Sequence, residues 1–189
     1  MLPHWYIVGM KEAYFTFAGQ IDNQSSARFF ASINAALNAQ AERIHLLIQS
    51  SGGYVGDGVA LFNYLKNLPA EVITYNAGTI ASTAVTVFLA GKIRRASETA
   101  TFMLHKSGAS IASQAIIGAD ALRNKAESVE LDDLRTGIIL RSHIEMPQDK
   151  WELHARGDLH LSAKAAKNYG LIHEISDFKI PAEAQVFNI

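Results

Sequence analysis

Gly78-Thr79-Ile80-Ala81-Ser82-Thr83-Ala84 places a serine where a glycine-bearing turn runs into an Ala- and Val-rich helical stretch. Upstream, the buried-strand pattern Arg43-Ile44-His45-Leu46-Leu47-Ile48 leads into a second glycine turn, Gln49-Ser50-Ser51-Gly52-Gly53-Tyr54-Val55. Downstream, Thr99 to Leu104 reads as another strand and ends in His105. Strands that end in glycine turns and hand over to helices make the fold α/β, and a serine and a histidine at two of those ends point to acyl-transfer chemistry.

Working outward, Tyr14 to Phe17 is aromatic and β-branched and stops at Ala18-Gly19, as a strand entering a loop does. Ser25 to Gln40 carries Phe29, Phe30, Ile33 and Leu37 at helical spacing. Strand 43–48, helix 56–67, strand 71–76 and a helix from about Ala81 to Ala90 then alternate strictly, which predicts parallel strands joined by crossover helices. Lys92 to Ala96 and Thr99 to Leu104, separated by Ser97-Glu98, predict a hairpin. From about Ala112 to Arg141 the pattern becomes a long helix with Ile116, Ile117, Leu122, Val129, Leu131, Leu134, Ile138 and Ile139 on recurring faces, with Gly118 or Gly137 as a point of interruption. A final helix is expected over 162–168. The long helix projects and offers its apolar face to a second copy, or else packs on its own domain.

The chain has 189 residues, enough for one buried α/β core, so one domain over 1–189 is expected. A net charge of -1 gives no electrostatic case for nucleic acid or an anionic membrane. The absence of cysteine excludes disulfides, a thiolate nucleophile and Cys-ligated zinc. Met1 to Gly9 has no basic and apolar leader pattern, and no run reaches the roughly 20 apolar residues that span a bilayer. The expectation is a soluble, cytoplasmic protein.

A serine hydroxyl becomes a nucleophile when a base takes its proton and an acid orients that base. Taken singly, Ser82 reads as a helix cap and His105 as a structural hydrogen bonder. Gly52-Gly53 changes the balance, because backbone N–H groups at a glycine turn are free to face a developing oxyanion. Among the acids, Asp57, Asp120 and Asp149 read as solvated charges, and Asp158 competes with Ser162 for a capping role. His154, Asp158 and His160 are the ligand types of a metal site but lack a helical metal-binding spacing, so no metal is expected. His45 alternates into a buried strand pattern and reads as structural; His4, His143 and His173 carry no signal.

These motifs resemble the proteolytic subunit of the Clp protease (ClpP). Gln49 to Val55, with Gly58 behind it, is similar to that family's Asn-Ser-Pro-Gly-Gly turn. Gly78 to Ser82 is similar to its Gly-x-Ala-Ala-Ser nucleophile motif, and Phe102-Met103-Leu104-His105 to its Met-Ile-His strand end. The stretch from Gly157-Asp158-Leu159 through Tyr169-Gly170-Leu171-Ile172 is similar to the segment bearing the family's aspartate. The resemblance covers about Tyr14 to Ile175, with Ser, His and Asp in the family's order.

The resemblance implies the ClpP/crotonase-like fold: repeated ββα-type units, a mainly parallel sheet and a protruding helical handle, here at about 109–153. It implies a serine endopeptidase with Ser82 as nucleophile, His105 as general base and acid, and Asp158 as orienting carboxylate. Oxyanion donors would be the N–H groups of Gly53 and Thr83, with Gly52 in the same turn, and no cofactor is needed. Substrate would bind as an extended strand between the segments after Gly53 and after His105. Partners implied are other copies in a heptameric ring or double ring, and an AAA+ unfoldase. Only about a dozen residues precede the Tyr14 strand, where family members carry a longer segment that couples to the unfoldase. Ser51, Ile80 and Thr83 replace the family's proline, alanine and methionine, and Thr83 reshapes the substrate pocket. Competing readings are a peptidase with a lysine base, a crotonase-like acyl-CoA enzyme that does not need the Ser82 hydroxyl, and a silent scaffold with a misaligned triad.

Overall fold

The computed structural model describes residues 12–110 and 118–189. The expectations placed on Met1 to Gly9 and on the start of the long helix at 112–117 lie outside the described residues. In chain order the elements are β1 (Glu12–Ala18), α1 (Asn23–Asn38), β2 (Arg43–Gln49), α2 (Val55–Lys66), β3 (Glu71–Asn76), β4 (Thr79–Ala81), α3 (Thr83–Phe88), β5 (Ile93–Ala96), β6 (Thr101–Leu104), α4 (Ala119–His143), α5 (Gln148–Arg156), β7 (Leu159–Ser162), α6 (Ala163–Asn168), β8 (Glu174–Ile175) and β9 (Val186–Asn188).

The strands form two sheets. The larger runs β8-β5-β3-β2-β1-β9, and every pairing in it is parallel, as the alternation of strands and helices requires. The smaller runs β4-β6-β7, with β4 parallel and β7 antiparallel to β6. Period-2 alternation in β1 and β2 sends Phe15, Phe17, Ile44, Leu46 and Ile48 into a core shared with Phe29 and Ile33 of α1 and Leu61 and Leu65 of α2. The other sheet face carries Tyr14 stacked on His45 at 4.4 Å, with His45 Nδ1 2.9 Å from the Tyr75 hydroxyl. The buried His45 is therefore part of a packed aromatic row.

Two expectations are corrected, and one alternative is decided. β5 and β6 do not form a hairpin: β5 pairs with β3 and β8, and β6 pairs with β4 and β7. The turn between them passes from one sheet to the other, held by the Ser97 N–H on the Asn76 carbonyl and by the Asn76 amide on the Thr101 carbonyl, both at 2.9 Å. The helix expected from Ala81 begins at Thr83, because Ser82 has φ 55° and ψ −131°, outside helical space, and Thr79–Ala81 is strand. Gly137 does not interrupt α4, which is continuous over Ala119–His143, while Gly118 is its N-cap. A second helix, α5, follows it.

α4 buries only Ile139 and Leu140 among its residues, so its N-terminal half stands away from the core. Among the described residues no helix is long and apolar enough to cross a membrane.

Candidate active site

The smaller sheet brings the site together. β4 and β6 are parallel with Ala81 opposite Met103, so the residues that follow both strands emerge at the same end. β7 is antiparallel to β6 with Leu104 opposite Leu159, so the residue preceding β7 emerges there too. Those residues are Ser82, His105 and Asp158. The Ser82 Oγ lies 2.6 Å from His105 Nε2, and His105 Nδ1 lies 3.4 Å from Asp158 Oδ1. The first is a short hydrogen-bond distance; the second is an ion-pair contact longer than an ordinary hydrogen bond. Both partners of the longer contact are substantially exposed, with side chains 38% and 56% accessible.

Ser82 occupies a left-handed φ that costs a non-glycine residue about 1–3 kcal/mol. Its surroundings hold it there. The Ser82 N–H donates to the Met103 carbonyl at 2.8 Å, its carbonyl accepts the Val85 N–H at 2.9 Å, and the Ala81 N–H before it donates to the Ser50 carbonyl at 2.9 Å. The result is a sharp strand-to-helix turn with the hydroxyl projecting toward the histidine.

Gly52 has φ 103°, and a Cβ there would lie 2.7 Å from Ser82 Cβ, so only glycine lets the 50–53 turn lie against the serine. A Cβ on Gly53 would overlap the Ile21 carbonyl. The Gly52 N–H already donates to Ser50 Oγ at 3.1 Å, within its own turn. Gly53 differs. The Gly52 carbonyl and the Tyr54 N–H on either side of it bond Ile21 in a parallel bridge, which turns the peptide groups of Gly53 itself to the opposite side. The Thr83 hydroxyl meets the Gly53 carbonyl there at 3.3 Å. Thr83 opens α3, where the first N–H groups of a helix have no intrahelical acceptor. Gly53 and Thr83 line the same cleft as Ser82.

A cleft of about 450 Å³ opens beside this cluster. It is lined by Ser51, Gly53, Ser82, Thr83, His105 and Ser107 to Ser110, with Val55, Thr86, Thr136 and Leu140 from α2, α3 and α4. The contribution of α4 through Thr136 and Leu140 escaped the sequence reading, as did that of Asp133. The Asp133 carboxylate accepts the Ser107 N–H at 2.7 Å and the Lys106 ammonium at 3.1 Å. Burial pushes the Asp133 carboxyl up, but those two donors outweigh it and hold it below the usual carboxylate range. A helical pattern gives no signal that one of two adjacent aspartates reaches the loop just after His105.

The other acids lie elsewhere. Asp57 is in the first turn of α2, Asp120 pairs with Arg123 at 2.5 Å in that of α4, and Asp149 approaches Lys150 at 3.8 Å in that of α5. Asp158 is not followed by a metal cluster: His154 is buried on α5 against Trp151, whereas His160 is exposed on β7. Among the described residues no three His, Asp or Glu side chains converge as a metal site. Burial holds His154 below the ordinary histidine range; Lys106, Arg141 and His105 act in the same direction and Asp133 against it.

The family model for Clp protease matches residues 5–179. The chain belongs to the Clp protease family. It is 32% identical over 146 residues to the ATP-dependent Clp protease proteolytic subunit 2 of Borreliella burgdorferi, covering 74% of this chain and 70% of that one. It is 28% identical over 177 residues to the ATP-dependent Clp protease proteolytic subunit of Dehalococcoides mccartyi, covering 90% and 84%. A solved structure of a ClpP1 mutant from Listeria monocytogenes superposes with a TM-score of 0.75 over 89% of this chain and 92% of that one, at 18% identity. That likeness establishes the ClpP-type fold, and the sequence relatives establish the family.

Proposed function

We propose that Ser82, His105 and Asp158 form the catalytic triad of a Clp-type serine endopeptidase. Serine peptidase activity accords with the family, whose relatives here are named as proteolytic subunits. The observation that carries the assignment of residues is the 2.6 Å contact from Ser82 Oγ to His105 Nε2 at a strained strand-to-helix turn. His105 takes the Ser82 proton as the hydroxyl attacks the scissile carbonyl, and returns it to the leaving amine. Asp158 stabilises the imidazolium across the 3.4 Å contact. The N–H groups of Gly53 and Thr83 receive the negative charge on the tetrahedral intermediate, and Gly52 permits the close approach of their turn to Ser82. Water then repeats the cycle on the acyl-enzyme. No step calls for a metal or organic cofactor.

Unfolded polypeptides or short peptides lie extended in the cleft between the 53–55 and 105–110 segments. The whole chain acts as one peptidase domain, with the handle contributed by α4. Its exposed Leu131, Leu134 and Ile138, 56%, 59% and 62% accessible and spaced along one helix face, suit burial against another copy in a ring or double ring. An ATP-driven unfoldase is the partner that the names of the relatives suggest. The crotonase-like reading is not favoured, since the family match is to Clp protease.

Hydrolysis of a fluorogenic peptide tests this function. Wild type should turn it over, and Ser82→Ala should not. Turnover retained by Ser82→Ala would remove the serine from the mechanism.

A further inference from the structure

We infer that Asp133 is a positioning residue for substrate, a latch from α4 that holds the 106–110 segment as one wall of the peptide-binding cleft. The inference rests on the serine-peptidase reading above. β6 ends at Leu104, and beyond His105 the chain leaves the small sheet and its ladder. The next tether is Asp133, whose two oxygens take different donors: Oδ1 accepts the Ser107 N–H at 2.7 Å and Oδ2 the Lys106 ammonium at 3.1 Å. Two adjacent residues are thereby fixed by one carboxylate, and both bonds are charge-assisted.

The segment so held lines the same cleft as Ser51 and Gly53, through Ser107, Gly108, Ala109 and Ser110. Gly108 has open space where a Cβ would stand, leaving its backbone accessible. A peptide added as a strand depends on the spacing of two such edges, and a displacement of about 1 Å at a binding edge is costly. Among the described residues Asp133 bonds Lys106 and Ser107 and neither Ser82 nor His105, so its effect is on the strand that binds, not on the reacting atoms. Its neighbour Asp132 is engaged differently, with Arg135 of the same helix, and its side chain does not serve the cleft.

The test compares wild type, Asp133→Ala and Asp133→Asn as full-length assembled protein. Three readouts are taken: peptide kcat and KM, the rate of Ser82 labelling by a small fluorophosphonate, and hydrogen exchange across residues 106–110. Asp133→Ala should raise KM about tenfold while kcat and labelling stay within about threefold of wild type. Exchange of the 106–110 segment should rise. Asp133→Asn keeps an acceptor for the Ser107 N–H and should recover most of the KM. An unchanged KM, labelling that slows by the factor by which KM rises, loss of assembly in Asp133→Ala, or an Asn variant as impaired as Ala would each overturn the latch. Exchange requires no turnover and separates the two claims. A wild type inactive in both assays defeats the serine-peptidase reading, whereas unchanged exchange in Asp133→Ala defeats the latch itself.

Discussion

Asp158 Oδ1 stands 3.4 Å from His105 Nδ1, a looser contact than an oriented carboxylate–imidazole hydrogen bond. The antiparallel register of β6 and β7 faces the two residues across the end of the small sheet, but their exposure lets water share the charge. In the proposed triad the support that Asp158 gives to the imidazolium is therefore weaker than in a buried triad, where replacing the aspartate by asparagine costs about 10⁴-fold in kcat.

Asp158→Asn should accordingly lower kcat for peptide hydrolysis by about 10- to 100-fold, while His105→Ala lowers it by at least about 10³-fold. Steady-state kinetics on both variants check this. Equal losses would mean that the carboxylate closes fully on the histidine during turnover.

Gly52→Ala should cut the rate of Ser82 acylation by about 100-fold or more. The added Cβ meets Ser82 Cβ at 2.7 Å and demands φ 103° of an L-residue, so the turn must move away from the serine. Labelling rates with circular dichroism alongside would separate this from unfolding; a normal labelling rate would place the oxyanion donors elsewhere.

Legibility in the sequence followed locality. The parallel order of β1, β2 and β3 could be read because each strand's partner is reached through one crossover helix, and the hydrophobic pattern carries that alternation. The hairpin expectation for β5 and β6 failed because both are short, alternating segments whose true partners, β3 with β8 and β4 with β7, lie at a distance in the chain. Ser82, His105 and Asp158 could be named because each sits in a short motif resembling a known one. What placed the helix start at Thr83 was the backbone of Ser82, and no residue preference announces a serine at φ 55°. Asp133 was invisible for a related reason: Asp132 and Asp133 are alike in a charged run, and while Asp132 pairs with Arg135 in its own helix, only the tertiary packing sends Asp133 to Ser107.

Stability should fall as pH drops below the neutral range. Burial holds His45, His143, His154 and His173 below the ordinary histidine value near 6.5. Between that value and the lower folded ones, the unfolded chain binds more protons than the fold, so acid favours unfolding. The urea midpoint should be lower at pH 5.5 than at pH 7.5. His154→Leu should flatten the difference, since the buried His154 Nε2 has no hydrogen-bond partner among the described residues and the ring packs on Trp151. An unchanged pH dependence in that variant would show that the other histidines carry it.

Leu134→Asp combined with Ile138→Asp should dissociate the assembly without lowering the thermal midpoint of the subunit, because both side chains are exposed in the single chain. Light scattering with thermal melting reads both. A particle of unchanged mass would free this face of α4 from any role in association.

The most direct measurement is intact-mass analysis after exposure to a fluorophosphonate, with wild type beside Ser82→Ala and His105→Ala, at a concentration that favours assembly. The 2.6 Å contact between Ser82 Oγ and His105 Nε2 predicts a single adduct on wild type and none on either variant. An assembled wild-type particle that takes up no adduct, or an adduct that persists in Ser82→Ala, would contradict the assignment of Ser82 as the activated nucleophile.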